Sequence, residues 1–93
     1  MSNQNEQMTV IFVDNPFGQE LRFSATRVKL QSAVEDEICI LPNFFNSIFP
    51  VKKCVVEVNE NVDGETKKIQ LLSSAVARFE DNKLTITGTF KEC

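Results

Sequence analysis

The 93-residue sequence contains no histidine, tryptophan or tyrosine, and only three glycines. A nucleophilic triad normally needs histidine as its base. Glycines at 18, 64 and 88 lie too far apart to form a phosphate-binding loop. The cysteines at 39, 54 and 93 form no CxxC pair, so the usual zinc ligands are missing as well. We therefore expect neither an autonomous enzyme nor a bound metal or other cofactor.

Positive charge and long apolar runs are also scarce. Ten Lys and Arg residues against thirteen Asp and Glu residues give a net charge of -3, whereas nucleic-acid binding needs a basic surface. No stretch approaches the roughly 20 apolar residues of a membrane span, and residues 1–7 lack the basic and apolar parts of a signal peptide. We predict a protein that binds no nucleic acid and does not insert into membranes, with residues 1–7 as a disordered tail.

Alternation of apolar and polar residues dominates the rest of the chain, and this period of two is typical of half-buried strands. Val28 and Leu30, for example, share one face, while Arg27 and Lys29 share the other. Equivalent patterns predict strands over residues 8–13, 20–24, 25–31, 36–41, 53–59, 74–79 and 83–87. The strand over 36–41 is the most apolar, so we expect it to be buried on both sides towards its end.

Turn signals separate these strands at residues 15–18, at Asp63-Gly64 and at residues 80–82. Residues 70–79 come nearest to helical spacing, but their length and β-branched content leave that segment ambiguous. Short strands with frequent turns favour a sandwich. We predict an all-β protein, an antiparallel β-sandwich of two sheets with about ten short strands, formed by one domain over residues 8–93.

The remaining candidate side chains point to packing and protein contact. Cys39 and Cys54 lie in apolar runs and are predicted to pack in the core, whereas Cys93 is terminal and keeps open a minor alternative, a thiol-based redox role. Residues 35–37 are all acidic, but neighbours on a strand point to opposite faces, so we do not expect their carboxylates to converge in a catalytic pair. We predict instead that they form the solvent-exposed start of a strand. Phe44, Phe45 and Phe49 lie in a connecting segment, and we expect most of them in the core and one exposed to a partner.

The order of these features resembles a known family. Residues 28–31 followed by 35–44 are similar to the signature of the ATP synthase epsilon subunit (delta in mitochondria), V-x-x-(aliphatic) and then G-E-x-G-(aliphatic)-L-P-G-H. Residues 73–86 resemble a later family stretch ending in V-T-(aliphatic), so the resemblance covers about residues 8–90. Asp36, Cys39 and Asn43 replace family glycines, and Asn43 can still adopt a left-handed backbone conformation.

The resemblance implies a non-catalytic rotor subunit of a proton-translocating ATP synthase. In that family the sandwich joins the gamma subunit to the c-ring, as a peripheral part of a membrane complex. Carried over by position, the edge facing the c-ring consists of Glu35, Glu37, Asn43 and Phe44. The implied location is the cytoplasmic face of a bacterial inner membrane.

Two further expectations accompany the resemblance. The family's C-terminal helical hairpin has no counterpart after Cys93, so we expect no ATP binding or inhibition of hydrolysis through that element. The alternative function is a stand-alone epsilon-like sandwich that bridges other proteins.

Overall fold

The computed structural model describes residues 6–14, 18–34, 36–60 and 64–93. Within them, ten strands form two five-stranded sheets. The strands are, in chain order, β1 Met8–Asp14, β2 Gln19–Ala25, β3 Arg27–Gln31, β4 Glu37–Ile40, β5 Ser47–Val51, β6 Val55–Asn59, β7 Thr66–Leu71, β8 Ala75–Glu80, β9 Lys83–Thr87 and β10 Phe90–Glu92. Sheet A has the order β2-β1-β9-β8-β5, and sheet B has the order β10-β7-β6-β3-β4.

The predicted all-β sandwich of two sheets is confirmed. Neighbouring strands pair antiparallel with one exception, β1 and β9, which run parallel with Val10 opposite Leu84. A parallel pair needs a long crossover between its strands. Here the chain supplies that crossover, because it builds seven strands in both sheets between β1 and β9.

Alternation along the strands builds the core between the two sheets. On β3 and β6, Val28, Leu30, Val56 and Val58 are buried, while the residues between them are half-buried or exposed. The ring of Phe12 in sheet A lies 5.8 Å from the ring of Phe90 in sheet B, measured between centroids. Full burial stabilises an aliphatic or aromatic side chain by about 1.5–3 kcal/mol, so this shared core joins the sheets.

Burial along β4 agrees with the prediction at Ile40 and departs from it at Cys39 and Leu41. Ile40 is buried, but Cys39 is exposed and Leu41, just after the strand, is 51% exposed. The predicted burial on both sides and the predicted core position of Cys39 were therefore wrong. The reason is that the structure has only two stacked sheets, so one face of β4 packs on the core while the other face, which carries Cys39, is open to solvent. Cys54 is half-buried and packs against the core, close to expectation.

Strand β5 was not predicted, and the segment 70–79, left ambiguous although a strand was predicted over 74–79, is strand and not helix. The segment between Pro42 and Pro50 contributes β5, and residues 70–79 form the end of β7 and most of β8 rather than a helix. Pro50 fits in β5 because the strand lies at the edge of sheet A. Its carbonyl accepts a hydrogen bond from the Ala33 amide at 2.9 Å, on the side away from β8, so the N–H that proline lacks would also have pointed away from the sheet.

The turns are partly as predicted. Asp81 and Asn82 alone connect β8 to β9, with φ angles of 53° and 59°, the positive values that a type I′ hairpin turn requires. Glu80, predicted in this turn, belongs to β8. Strands β6 and β7 pair as the Asp63-Gly64 signal predicts, although residues 61–63, residues 15–17 and most of the predicted tail lie outside the described residues. No helix long and apolar enough to cross a bilayer occurs in the described ranges.

Candidate protein-contact site

Strand β4 positions the predicted site residues along one long side of the sandwich. Glu37 begins β4, whereas Asn43 and Phe44 lie in the connection that follows it. Because β4 advances by roughly 10 Å between its first and last residues, Glu37 and Asn43 lie near opposite ends of this strand. Glu35 lies outside the described residues. We call the surface formed by β4, residues 41–46 and β5 the β4–β5 side.

Glu37 is available to a partner. Its Oε2 atom lies 3.9 Å from Nζ of Lys29 on the neighbouring strand, and both side chains are well exposed. Exposed ion pairs contribute only about 0.2–1 kcal/mol. The pair therefore orients the Glu37 carboxylate weakly, and a stronger cationic partner can replace Lys29.

Asn43 is held in place at the other end of β4. Its φ angle of 68° is in the left-handed region that asparagine can adopt, as the sequence allowed. Its backbone amide donates to Oδ1 of Asn82 at 2.7 Å, and its side-chain Nδ2 donates to Oε2 of Glu6, also at 2.7 Å. Nδ2 of Asn82 donates to the carbonyl of Gln7 at 3.1 Å. These hydrogen bonds tie the β4–β5 connection to the start of β1 and to the β8–β9 turn.

The two adjacent phenylalanines have different roles. The rings of Phe44 and Phe45 stack, with centroids 4.3 Å apart and planes inclined by 26°. The Phe44 ring also meets the buried Phe79 ring edge-on at 5.7 Å, whereas Phe45 is 69% exposed. Phe44 and Phe49 pack against the core, so the expectation of one exposed phenylalanine is confirmed. Phe45 was absent from the predicted c-ring edge, although three phenylalanines in six residues signalled such a surface.

A second exposed apolar surface lies on the outer face of sheet A. Pro50 pairs with Val76, and Ile48 pairs with Arg78; Ile48 and Val76 are 65% and 48% exposed. Arg78 forms an ion pair with Glu80 on the same face, with an N···O distance of 3.1 Å. This surface was not predicted, because β5, which carries Ile48, was not predicted.

Within the described ranges no group of three His, Cys, Asp or Glu side chains could hold a metal ion. The three cysteines are free thiols. The described surface presents apolar side chains beside charged ones, an arrangement suited to contact with other proteins.

The fold is a β-sandwich with exposed apolar side chains on two of its surfaces, and comparison with solved structures identifies the fold more closely. A chain from the central stalk and c-ring of the Tetrahymena thermophila mitochondrial ATP synthase superposes with a TM-score of 0.71 at 13% identity, over 94% of this chain and 67% of that one. A chain from the Euglena gracilis mitochondrial ATP synthase, in a structure of OSCP, F1 and the c-ring, superposes with a TM-score of 0.77 at 11% identity, over 92% of this chain and 53% of that one.

These similarities show a shared fold. The chain spans about two thirds of the Tetrahymena chain and about half of the Euglena chain. Among protein families and curated proteins, no match to the sequence is found.

Proposed function

We propose that this chain is the epsilon-type subunit (delta in mitochondria) of a proton-translocating rotary ATP synthase, and that it joins the gamma subunit to the c-ring without catalysing a reaction. The observation that carries the proposal is the superposition of more than nine tenths of the chain on chains from structures of ATP synthase. The resemblance of residues 28–44 to the epsilon signature supports it independently.

The β4–β5 side is the proposed contact with the c-ring, through Glu37, Asn43 and Phe44, and Glu35 joins them by its position in the family resemblance alone. Because Glu37 and Asn43 lie towards opposite ends of β4, the contact with the c-ring would extend along the length of β4 and not be limited to one of its ends. Individual surface charge pairs are weak, so several pairs and the apolar area of Phe44 would act together. The chain would be peripheral to the membrane, and the bacterial location remains a prediction.

The outer face of sheet A is the proposed contact with gamma. A subunit that joins two partners needs two surfaces, and this face is the second exposed apolar surface described above. Ile48 and Val76 supply its apolar area, and the pair Arg78–Glu80 supplies polar groups beside it. Interfaces commonly combine an apolar centre with a polar rim in this way.

Copurification with the gamma subunit and the c-ring of the same organism tests the proposal. The wild-type chain should form a complex with both. A Glu35→Lys/Glu37→Lys variant should bind the c-ring about 5- to 30-fold more weakly, as expected for a loss of about 1–2 kcal/mol, and should still bind gamma. The matched control, Glu65→Lys/Glu92→Lys, makes the same charge change at exposed positions outside the β4–β5 side and should bind normally.

A wild-type chain that binds neither gamma nor the c-ring would refute the rotor assignment. The second candidate, a stand-alone module that bridges other proteins, is favoured by the same two exposed surfaces. It predicts stable binding to proteins outside the synthase, with gamma and the c-ring absent from the complexes.

A further inference from the structure

Strand β2 forms the longest exposed edge of the described sandwich. The other edge strands are β5 in sheet A and β4 and β10 in sheet B. Strands β4 and β10 have four and three residues, and the outward side of β5 is already bonded to residues 31–33. Strand β2 has seven residues, contains no proline, and among the described strands pairs with β1 alone. An edge of this kind is a template for pairing with a further strand.

The hydrogen bonds of β1 show which main-chain groups of β2 face outward. The Thr9 amide donates to the carbonyl of Asn82 at 3.1 Å, so the main chain of Thr9 is directed towards the β9 side. Because successive residues of a strand direct their N–H and C=O groups to opposite sides, Val10 is directed at β2, where it pairs with Phe23. Phe23 therefore bonds to β1, and its neighbours on β2 direct their groups outward. The outward set is Glu20, Arg22 and Ser24, and no described strand lies beyond it.

The side chains of β2 are self-complementary about Leu21. Glu20 and Arg22 lie on either side of it, both exposed, and form an ion pair with an N···O distance of 3.0 Å. Leu21 points to the other face, is half-buried against the core, and lines with Phe90 an open depression of about 470 Å³ between the β2 and β10 edges. An antiparallel copy of β2, placed with Leu21 opposite Leu21, would therefore bring each Glu20 opposite Arg22 of the other copy.

We propose that the free chain forms a two-fold dimer by antiparallel pairing of β2 with β2 of a second copy, with Leu21 at the axis. The outward main-chain groups of Glu20 in each copy bond to those of Arg22 in the other, and symmetry forms the ion pair between copies twice. A register centred on Arg22 would place two arginines directly opposite each other, which is destabilising. A register centred on Phe23 would form neither ion pair. Charge complementarity therefore selects both the occupant and the register.

Pairing through β2 gives a closed dimer. It uses the β2 edge of both copies and leaves β5 at each end of the joined sheets, where the bonds to residues 31–33 occupy the outward side. Only a few residues of each copy take part, less than in a standard interface. We therefore expect a weak dimer, with a Kd on the order of 10–1,000 μM. This inference goes beyond the proposed function, because it needs no other subunit of the synthase.

Sedimentation velocity and amide hydrogen exchange of the full chain, from about 10 μM to about 1 mM, test the dimer. The wild-type chain should shift from monomer to dimer, and exchange at the amides of Glu20 and Arg22 should slow as concentration rises. The amides of Leu21 and Phe23 are directed at β1 in the monomer and should keep their rates, so the added protection would alternate along β2. High salt should weaken the dimer by screening its ion pairs.

Charge-reversal variants make the test specific. Glu20→Arg and Arg22→Glu each convert both ion pairs between the copies into like-charge pairs, so each variant alone should associate at least about tenfold more weakly. An equimolar mixture of the two should recover the dimer, since every arginine then faces a glutamate of the other copy. The matched controls, Arg78→Glu and Glu80→Arg, break a similar exposed pair, with an N···O distance of 3.1 Å, on β8, which has a strand on both sides. They should dimerise as the wild type does.

A chain that stays monomeric over the whole concentration series would overturn the proposal. A dimer that survives either charge reversal, or that the mixture fails to restore, would do the same. Assembly beyond the dimer, or slower exchange confined to β4 or β5, would also count against it, because another edge would then form the contact. None of these results affects copurification with gamma and the c-ring, which tests the rotor assignment separately.

Discussion

Gly88 occupies a position with no room for a side chain. A Cβ atom on Gly88 would lie 2.8 Å from Cβ of Ala75, closer than such atoms approach each other, while the Gly88 amide is held by the Val13 carbonyl at 2.9 Å. The hydrogen bond fixes Gly88 to β1 and the clash lies on β8, so neither contact can be relieved without moving a strand.

Gly88→Ala should therefore destabilise the protein by about 1–3 kcal/mol, the usual cost of overpacking. The measurement is the midpoint and slope of urea unfolding. Ala75→Gly removes the opposing Cβ, so the double variant should lose less stability than the sum of the single losses. Strict additivity of the two substitutions would show that the clash is not the cause.

Single residues also show where sequence reasoning holds and where it stops. The left-handed conformation of Asn43 was predictable, because it depends on the residue type and on its place after a proline. The exposure of Cys39 was not predictable, since an apolar run looks the same in a strand covered on both faces and in a strand whose outer face is open to solvent. Whether a second layer covers that face depends on how distant segments pack together, and no local pattern encodes that.

At the scale of elements, Asn82 connects the β8–β9 hairpin to the β4–β5 connection. Its backbone adopts a positive φ angle, and its side chain hydrogen-bonds with Asn43 and Gln7. These two contributions can be separated by substitution, because glycine also adopts a positive φ angle but has no side chain to form the hydrogen bonds.

Asn82→Gly should cost about 1–2 kcal/mol, the value of the lost side-chain hydrogen bonds. Asn82→Ala should cost about 1 kcal/mol more, because alanine pays a penalty in the left-handed region. Thermal unfolding measures both variants, and faster amide hydrogen exchange at Asn43 in each would locate the loss. If Asn82→Gly were as stable as the wild type, the side chain would not hold the connection.

Elements differ in how well the sequence predicts them. Strands such as β3, β6 and β9 have clear alternation and were placed within two residues of their observed bounds. Strand β5 was missed because it contains Pro50, which argues against a strand unless the strand lies at an edge. Strand β10 has three residues and carries too little pattern to detect.

At the scale of the whole molecule, the pairing of β1 with β9 brings the two ends of the chain together. The strand that begins at Met8 lies between β2 and β9 in sheet A, and seven strands separate β1 from β9 along the chain. Proteins dominated by such distant pairings fold slowly, because the entropy of closing long loops must be overcome first.

We expect refolding in roughly milliseconds to seconds, measured by stopped-flow circular dichroism. A double-jump protocol would separate this phase from slower proline isomerisation. Relaxation in microseconds would contradict the importance of the β1–β9 pair. The place of the predicted site residues on the sandwich could not be read from the sequence, because it depends on which strands neighbour β4 and β5. Glu37 and Asn43 are six positions apart, and the structure shows that they lie near opposite ends of β4.

Pro50 affects how readily the β5 edge of sheet A can pair with a strand of another molecule. Strand β5 carries Ile48, Phe49 and Val51 at the edge of sheet A, a composition that favours stacking of strands from separate molecules into fibrils. At Pro50 the outward side of β5 offers an incoming strand neither hydrogen-bonding group, because proline has no N–H and its carbonyl already accepts from the Ala33 amide. The edge of sheet A therefore has no free pairing position there from which an aggregate could grow.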